Sequence, residues 1–436
     1  MSSKTQLALD QLRAYESPNV LYIAPDGSWP IVWEHATGMY VWDVEGKKYL
    51  DLTAAFGVAA AGHANPRVVA AGKRQMGRLL HAMGDVHPHV LKGKLAKKLS
   101  EITFERWSAS SQKHLTGKTI FCNSGFESVE VALKTALLAT GRSGVIAFKD
   151  AYHGLGYGAL NTTYRQIFRD PFQSQLARFG SFIPFPKKSG EVEGIERLLR
   201  DLLEKKSFGA VLVEPVQGRG GIHIPPPEFL PMLRRLCDQY EALLILDEVY
   251  TGFGRTGRWF SCEYSGIVPD LICLGKALTG GFPLSACVGR AEMIDRAWPR
   301  STGEAIHTST FLGHPVGCAM ALAEIKEISD KNLVERSAEM GLLLVEELKS
   351  RIVPPSGFEV KVRGQGLMVG MELNLMNGEP ASEFCLQIVS QMLQRGFILL
   401  PDGEAGNVIS FTPPLTITHH QIRETVLALS DIIAKK

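Results

Sequence analysis

The sequence predicts an α/β protein: a large domain with a mostly parallel sheet flanked by helices, plus a smaller α+β domain built from both chain ends. Three observations predict it. Between about residues 67 and 328, short apolar runs alternate with longer helical patterns, as βαβ units do. Outside that stretch the pattern changes, to short strand-like runs with turns in front and a helix-rich block behind. Finally, four of the apolar runs stop at, or within two residues of, a polar group: Ser124, Glu214, Asp247 and Lys276. The carboxyl ends of strands in an open parallel sheet share one edge, and ligands bind in the crevice there. Topology alone would therefore bring those four together.

Taken in order, residues 1–66 form a segment that joins the small domain. Within it "YVWDVEGKKYLDL" alternates in polarity and turns at Glu45-Gly46. Residues 67–328 form the large domain. Its strands are "TIFC" before Asn123, "GVIAF" before Lys149, "AVLV" before Glu214, "LLIL" before Asp247 and "LICL" before Gly275. Residues 329–436 complete the small domain. They comprise an amphipathic helix over 332–351, the run "GLMVGMEL", a helix near 382–395, then "NVISFTPPLTIT" and a closing helix.

With 436 residues, 45% hydrophobic and 21% charged, the composition is that of an ordinary globular protein. A net charge of +2 supplies no electrostatic reason to expect nucleic acid or an anionic membrane. No apolar run approaches the roughly 18 residues of a membrane span, and the start lacks a signal-peptide apolar core. Seven cysteines without a CxxC pair argue against a disulfide framework and a thiolate metal site, so a cytosolic protein with reduced thiols is expected. His81, His87, His89, His419 and His420 come without HExxH or matching carboxylates, and no metal is expected.

Candidate chemistry begins in "LICLGKALTGGFPLS". An ammonium at Lys276, in an apolar run without a neighbouring acid, costs several kcal/mol if dry and unpaired. Either the side chain reaches water or the amine is neutral and reactive. In "CNSGFESVEVALKTALL", Ser124 and Glu127 have capping-box spacing. Val129, Ala132, Leu133, Ala136 and Leu137 follow the stripe of a core-facing helix. A helix starting at such a turn suits a phosphate, although an ordinary capped helix explains the cap equally well. "DAYHGLGYG" places an aromatic, Tyr152, and His153 after a strand, which fits either a flat heteroaromatic cofactor or a plain loop. In "LLILDEVYTGFGRTG" the glycines match G-x-G-x-x-G, but DEVY intervenes and no helix follows, which excludes a dinucleotide site. Asp247, ending a run of aliphatics, needs a partner, and a protonated pyridine nitrogen would be one.

These stretches, with "GHANPRV", "AYHG", "VEPVQG", "PDLICLGKALTGGFPLSA", "TSTFLGHP", "VRGQGLM" and "TPPLTIT", occur in one order over nearly the whole chain. Together they resemble the class III (omega) aminotransferases, pyridoxal 5'-phosphate enzymes of the aspartate-aminotransferase fold. The resemblance implies that Lys276 forms the Schiff base with pyridoxal phosphate and that Asp247 keeps the pyridine nitrogen protonated. It implies that Val249 and Tyr152 cover the two ring faces, beside His153. Ser124, Gly125 and the Phe126 backbone would hold the phosphate, and Thr310 would reach the phosphate of the other subunit. The expected assembly is thus a homodimer with shared sites, alone or paired into a tetramer.

Tyr250 stands where family members often carry a Gln bonded to the cofactor's phenolic oxygen. Ser410 and Leu155 stand where many carry arginines for a substrate carboxylate. Glu214 is expected near the pocket mouth, with Phe56 narrowing the cleft. A negative pocket without those arginines favours an ω-amino compound, diamine or amine as donor, and a 2-oxo acid as acceptor, by a ping-pong mechanism. Some other basic group must then meet the acceptor's carboxylate. The alternative is an isomerase of the same fold, a racemase, epimerase or aminomutase, which would turn over without a keto acid.

Overall fold

The computed structural model describes residues 3–24, 27–109 and 114–435. Seven strands form the central sheet, in the spatial order Gly117–Cys122, Ser285–Arg290, Leu271–Leu274, Leu243–Asp247, Phe208–Val213, Gly144–Phe148 and Gly180–Ile183. Ser285–Arg290 runs antiparallel to both neighbours, and the remaining pairings are parallel. All five expected runs are strands here. The other two escaped the sequence reading because "GSFI" is a part-buried edge strand with a weak apolar run and "SACVGR" is small and mixed in polarity.

Every residue of the three inner strands Phe208–Val213, Leu243–Asp247 and Leu271–Leu274 is buried, as a sheet covered on both faces requires. Alternate residues serve opposite faces. Ala210, Leu212, Leu243, Ile245, Leu271 and Cys273 meet the helix Gly125–Thr140. Val211, Val213, Leu244 and Leu246 lie on the opposite face in the larger core with residues of the helices Val192–Leu203 and Phe229–Gln239, and Ile272 and Leu274 belong to the same core. This is the expected α/β architecture, a large parallel-rich sheet between layers of helices.

One residue of the helical stripe departs from expectation. Val129, Ala132, Leu133 and Ala136 are buried, but Leu137 is 47% exposed. Eight residues of helix at 3.6 per turn carry Leu137 about 80° past Val129, and Ser128, Val131 and Thr135 fill the inner side instead.

Two smaller sheets complete the fold. The strands Trp33–Thr37, Tyr40–Asp43 and Lys48–Asp51 are joined by Phe397–Ile398, parallel to Lys48–Asp51, so both ends of the chain share one sheet. Its expected turn is present. Asp43 Oδ1 accepts from the N–H groups of Glu45 and Lys47 at 3.0 and 2.8 Å, while Gly46 takes φ +85°, an Asx-type turn that needs glycine's left-handed freedom. The second sheet is antiparallel, ordered Phe358–Gln365, Met368–Leu375, Val408–Phe411, Leu400–Asp402. The helices Leu333–Arg351, Ser382–Gln394 and His419–Ile433 pack around it. Among the described residues, no helix is long and apolar enough to cross a membrane.

Candidate active site

The carboxyl edge of the central sheet carries the chemistry. Lys276 follows Leu271–Leu274, Asp247 closes the neighbouring strand, Glu214 follows the next, and Tyr152 and His153 lie beyond Gly144–Phe148. With Gly125, Phe126, Val249 and Tyr250 they line one cavity of about 360 Å³, of the size that holds a small cofactor. Lys276 is part-buried and lines the cavity. Burial pushes its amine down to about 8, against the pull of Asp247 and Glu214. Its Nζ lies 3.8 Å from the centroid of the Tyr250 ring, and its backbone sits at φ +42°, a strained conformation of the kind that clusters at functional positions.

Asp247 is held from two sides. His153 Nδ1 stands 2.7 Å from Oδ2, and the N–H of Val249 donates to Oδ1 at 3.1 Å. His153 therefore orients the carboxylate, and its own backbone N–H is fixed by the Thr163 hydroxyl. At the start of the helix Gly125–Thr140 the expected capping box does not form. Glu127 turns back to the N–H of Asn123 at 2.7 Å, and Ser124 makes no side-chain cap. The Ser124 hydroxyl is buried and finds no partner among the described residues, while its carbonyl is fixed by Ser285 Oγ at 2.6 Å. Ser285 sits at this edge because its strand runs backwards, a role the sequence reading missed.

Other expectations need correction. Glu214 lines the cavity but is not a free charge at its mouth. Its two oxygens accept the N–H groups of Tyr152 and Gly218, each at 3.0 Å, and burial raises its carboxyl above the usual range. The Tyr250 hydroxyl points away from the cavity floor to Thr412 Oγ1 at 3.1 Å. Its ring is admitted by Gly57 and Gly218, since a Cβ on either would run into it. Phe56 is 64% exposed and lines an outer chamber of about 450 Å³ with Thr53, Leu400 and Ser410. Thr310 lies on the exposed surface outside both cavities. Its neighbour Ser309 reaches Asn123 at 3.4 Å, at the rim beside the helix start. Leu155 lines the inner cavity but supplies no charge. Two charged residues that the sequence reading did not single out, Arg219 and Asp402, face the outer chamber.

The arrangement is an amine beside an oriented carboxylate and an uncapped helix start. Comparison with known proteins identifies it, since the aminotransferase class-III family matches residues 22–433. The chain belongs to the class III aminotransferases. Acetylornithine aminotransferase of Methanosarcina acetivorans is 36% identical over 401 residues, 92% of this chain and 91% of the relative. 5-Aminovalerate aminotransferase of Pseudomonas aeruginosa is 36% identical over 417 residues, 92% and 93% of the two chains. An amine transaminase from an uncultivated Pseudomonas species, solved with pyridoxal phosphate bound, superposes with a TM-score of 0.84 at 27% identity over 97% and 98% of the two chains.

As a class III aminotransferase the protein depends on pyridoxal phosphate, and its substrates are amines and keto acids. The residues present fit that cofactor. The partnerless Ser124 hydroxyl and the helix start suit a phosphate. A Cβ on Gly125 would stand 2.9 Å from the Val249 side chain, so only glycine lets Val249 pack this closely on the helix start beside the cavity. Asp247, oriented from two sides, suits a protonated ring nitrogen.

Proposed function

We propose that this aminotransferase carries pyridoxal phosphate on Lys276 and moves an amino group from an ω-amino compound, diamine or amine to a 2-oxo acid, in two half-reactions. One observation carries the reading. The sheet edge brings a lysine with a lowered pKa to the same cavity as a carboxylate that His153 and the Val249 N–H hold in place.

Each residue then has a task. Ser124 and the helix start hold the phosphate. Val249 and Tyr152 confine the ring between them. Asp247 holds a proton at the ring nitrogen, and His153 keeps that carboxylate aimed. Bound pyridoxal phosphate supplies the electron-withdrawing ring that lets the donor lose a proton from carbon. Lys276 would take that proton at Nζ and return it, which requires an amine that is neutral near working pH. Thr310 of a second copy completes the phosphate site, so the working unit is a homodimer.

The donor class rests on the outer chamber. Ser410 bonds the Leu400 carbonyl at 3.4 Å and Leu155 is apolar, so neither grips a donor's carboxylate. Asp402 replaces Glu214 as the negative group facing the substrate. The names of the two relatives fit this class, because acetylornithine and 5-aminovalerate present their reacting amine far from the carboxylate. Borohydride reduction followed by peptide mapping should place the pyridoxyl group on Lys276, and a label on another lysine refutes the assignment. Relative kcat/KM for glutamate, alanine, 4-aminobutyrate, a short diamine and a benzylic amine tests the donor class. A tenfold lead for glutamate overturns it.

A further inference from the structure

We infer that Arg219 is the carboxylate grip of this enzyme, meeting the acceptor's carboxylate in one half-reaction and balanced by Asp402 in the other. The inference rests on the proposed reading of the site and names the basic group that reading lacks.

Arg219 lines both the inner cavity and the outer chamber. Its guanidinium lies over the Tyr152 ring at 4.6 Å and near the Phe168 ring at 5.8 Å, two rings that themselves meet edge to face. Stacking occupies the flat faces of a guanidinium and leaves its edge N–H groups for a planar acceptor. Among the described residues its side chain forms no ion pair, which sets it apart from Arg234, Arg363 and Arg423. A planar fork of donors aimed into a cavity matches a carboxylate bidentately.

Its position is built rather than incidental. The N–H of Gly403 donates to the Arg219 carbonyl at 3.2 Å. Arg165 donates from one nitrogen to that same carbonyl at 2.8 Å and also to the carbonyl of Gly403. These bonds tie the segment carrying Arg219 to Gly403, next to Asp402 at the end of its strand, and both charges line one chamber. Burial raises the Asp402 carboxyl to about 6, while a hydrogen bond from Ser410 and the charges of Arg219, Arg165 and Lys276 draw it back toward its charged form. When a donor without a carboxylate enters, Asp402 offsets the guanidinium. When a 2-oxo acid enters, Arg219 turns its free edge to it.

The test compares Arg219→Gln and Arg219→Lys holoenzymes with wild type, using a benzylic amine donor. The acceptors are pyruvate, 2-oxoglutarate and a carboxylate-free aldehyde, and pyridoxal phosphate affinity is measured alongside. A charge-assisted contact of this kind sets the scale. The ratio of kcat/KM for keto acid to that for aldehyde should fall about tenfold or more in Arg219→Gln, chiefly through KM, and recover in part in Arg219→Lys. Asp402→Asn should lower KM for the keto acids, because it removes the competing charge. A ratio unchanged in Arg219→Gln overturns the inference, as does a loss of cofactor affinity by the same factor as the loss in turnover. Absence of amine-to-keto-acid transfer in wild type refutes the proposed function instead, so the two failures are distinguishable.

Discussion

The inner end of the cavity and its outer chamber are assembled from different material. Asp247, Lys276, Glu214 and Ser124 come from the ends of strands in one sheet, or from the residues just after them. Their spacing follows the roughly 4.8 Å step between strands. The outer chamber draws Phe56 from a left-handed turn, Arg219 from a loop, and Asp402 and Ser410 from the antiparallel sheet. A sheet edge holds a fixed constellation, whereas loops can change one residue without moving the rest. Under the proposed function, chemistry belongs to the first region and choice of substrate to the second.

That division breaks most readily at Asp247. Asparagine keeps the shape but removes the charge proposed to hold a proton on the ring. We expect Asp247→Asn to lose about two orders of magnitude or more in rate for every donor alike, since stabilising developing charge is usually the largest catalytic contribution. Single-turnover rates with 4-aminobutyrate and with a benzylic amine measure this. A variant within threefold of wild type corresponds to under about 1 kcal/mol, and the inner end would then not carry the chemistry.

A pH series sharpens the same point. The Lys276 amine is pushed down to about 8 by burial, from an ordinary lysine value of 10.5. Only the neutral amine attacks an aldehyde, so below about pH 8 the ammonium form dominates and capture is slow. The rate at which apoenzyme covalently captures pyridoxal phosphate should rise with pH through about 8 and then level off. Continued growth toward pH 10 in the absorbance-monitored rate shows that Lys276 behaves as an ordinary solvated lysine.

Both regions differ in how far the sequence discloses them. The five apolar runs, their polar end residues and the helices of the last hundred residues were legible, because periodicity and strand ends are local signals. The Ser124 cap was misread, because the S-x-x-E spacing does not reveal that Glu127 prefers the N–H of Asn123. Ser285 was invisible, since only the reversed direction of its strand brings it to the edge. Arg219 and Asp402 lie far apart in sequence and come to one chamber through hydrogen bonds to the Arg219 carbonyl from the Gly403 N–H and the Arg165 guanidinium. No spacing rule anticipates such a pairing.

Tyr250 lies on the border between the regions and should give the smallest effect. Its ring faces the Lys276 amine at 3.8 Å, whereas its hydroxyl faces outward to Thr412. Burial pushes that phenol up to about 12, so it stays protonated near neutral pH. Tyr250→Phe keeps the ring and removes one hydrogen bond, worth about 0.5–1.5 kcal/mol. Thr412 Oγ1 retains the Thr53 carbonyl as partner at 3.2 Å, so no buried hydroxyl is stranded. The expected result is a kcat within threefold of wild type and a small drop in Tm. Tyr250→Leu, which removes the aromatic face, gives up a cation–π contact of about 0.5–2 kcal/mol to the protonated lysine. It should therefore shift the pH of half-maximal cofactor capture downward, where Tyr250→Phe does not. If Tyr250→Phe instead costs a hundredfold in kcat, the hydroxyl turns inward when cofactor binds, and the boundary between chemistry and substrate choice lies further out than these contacts place it.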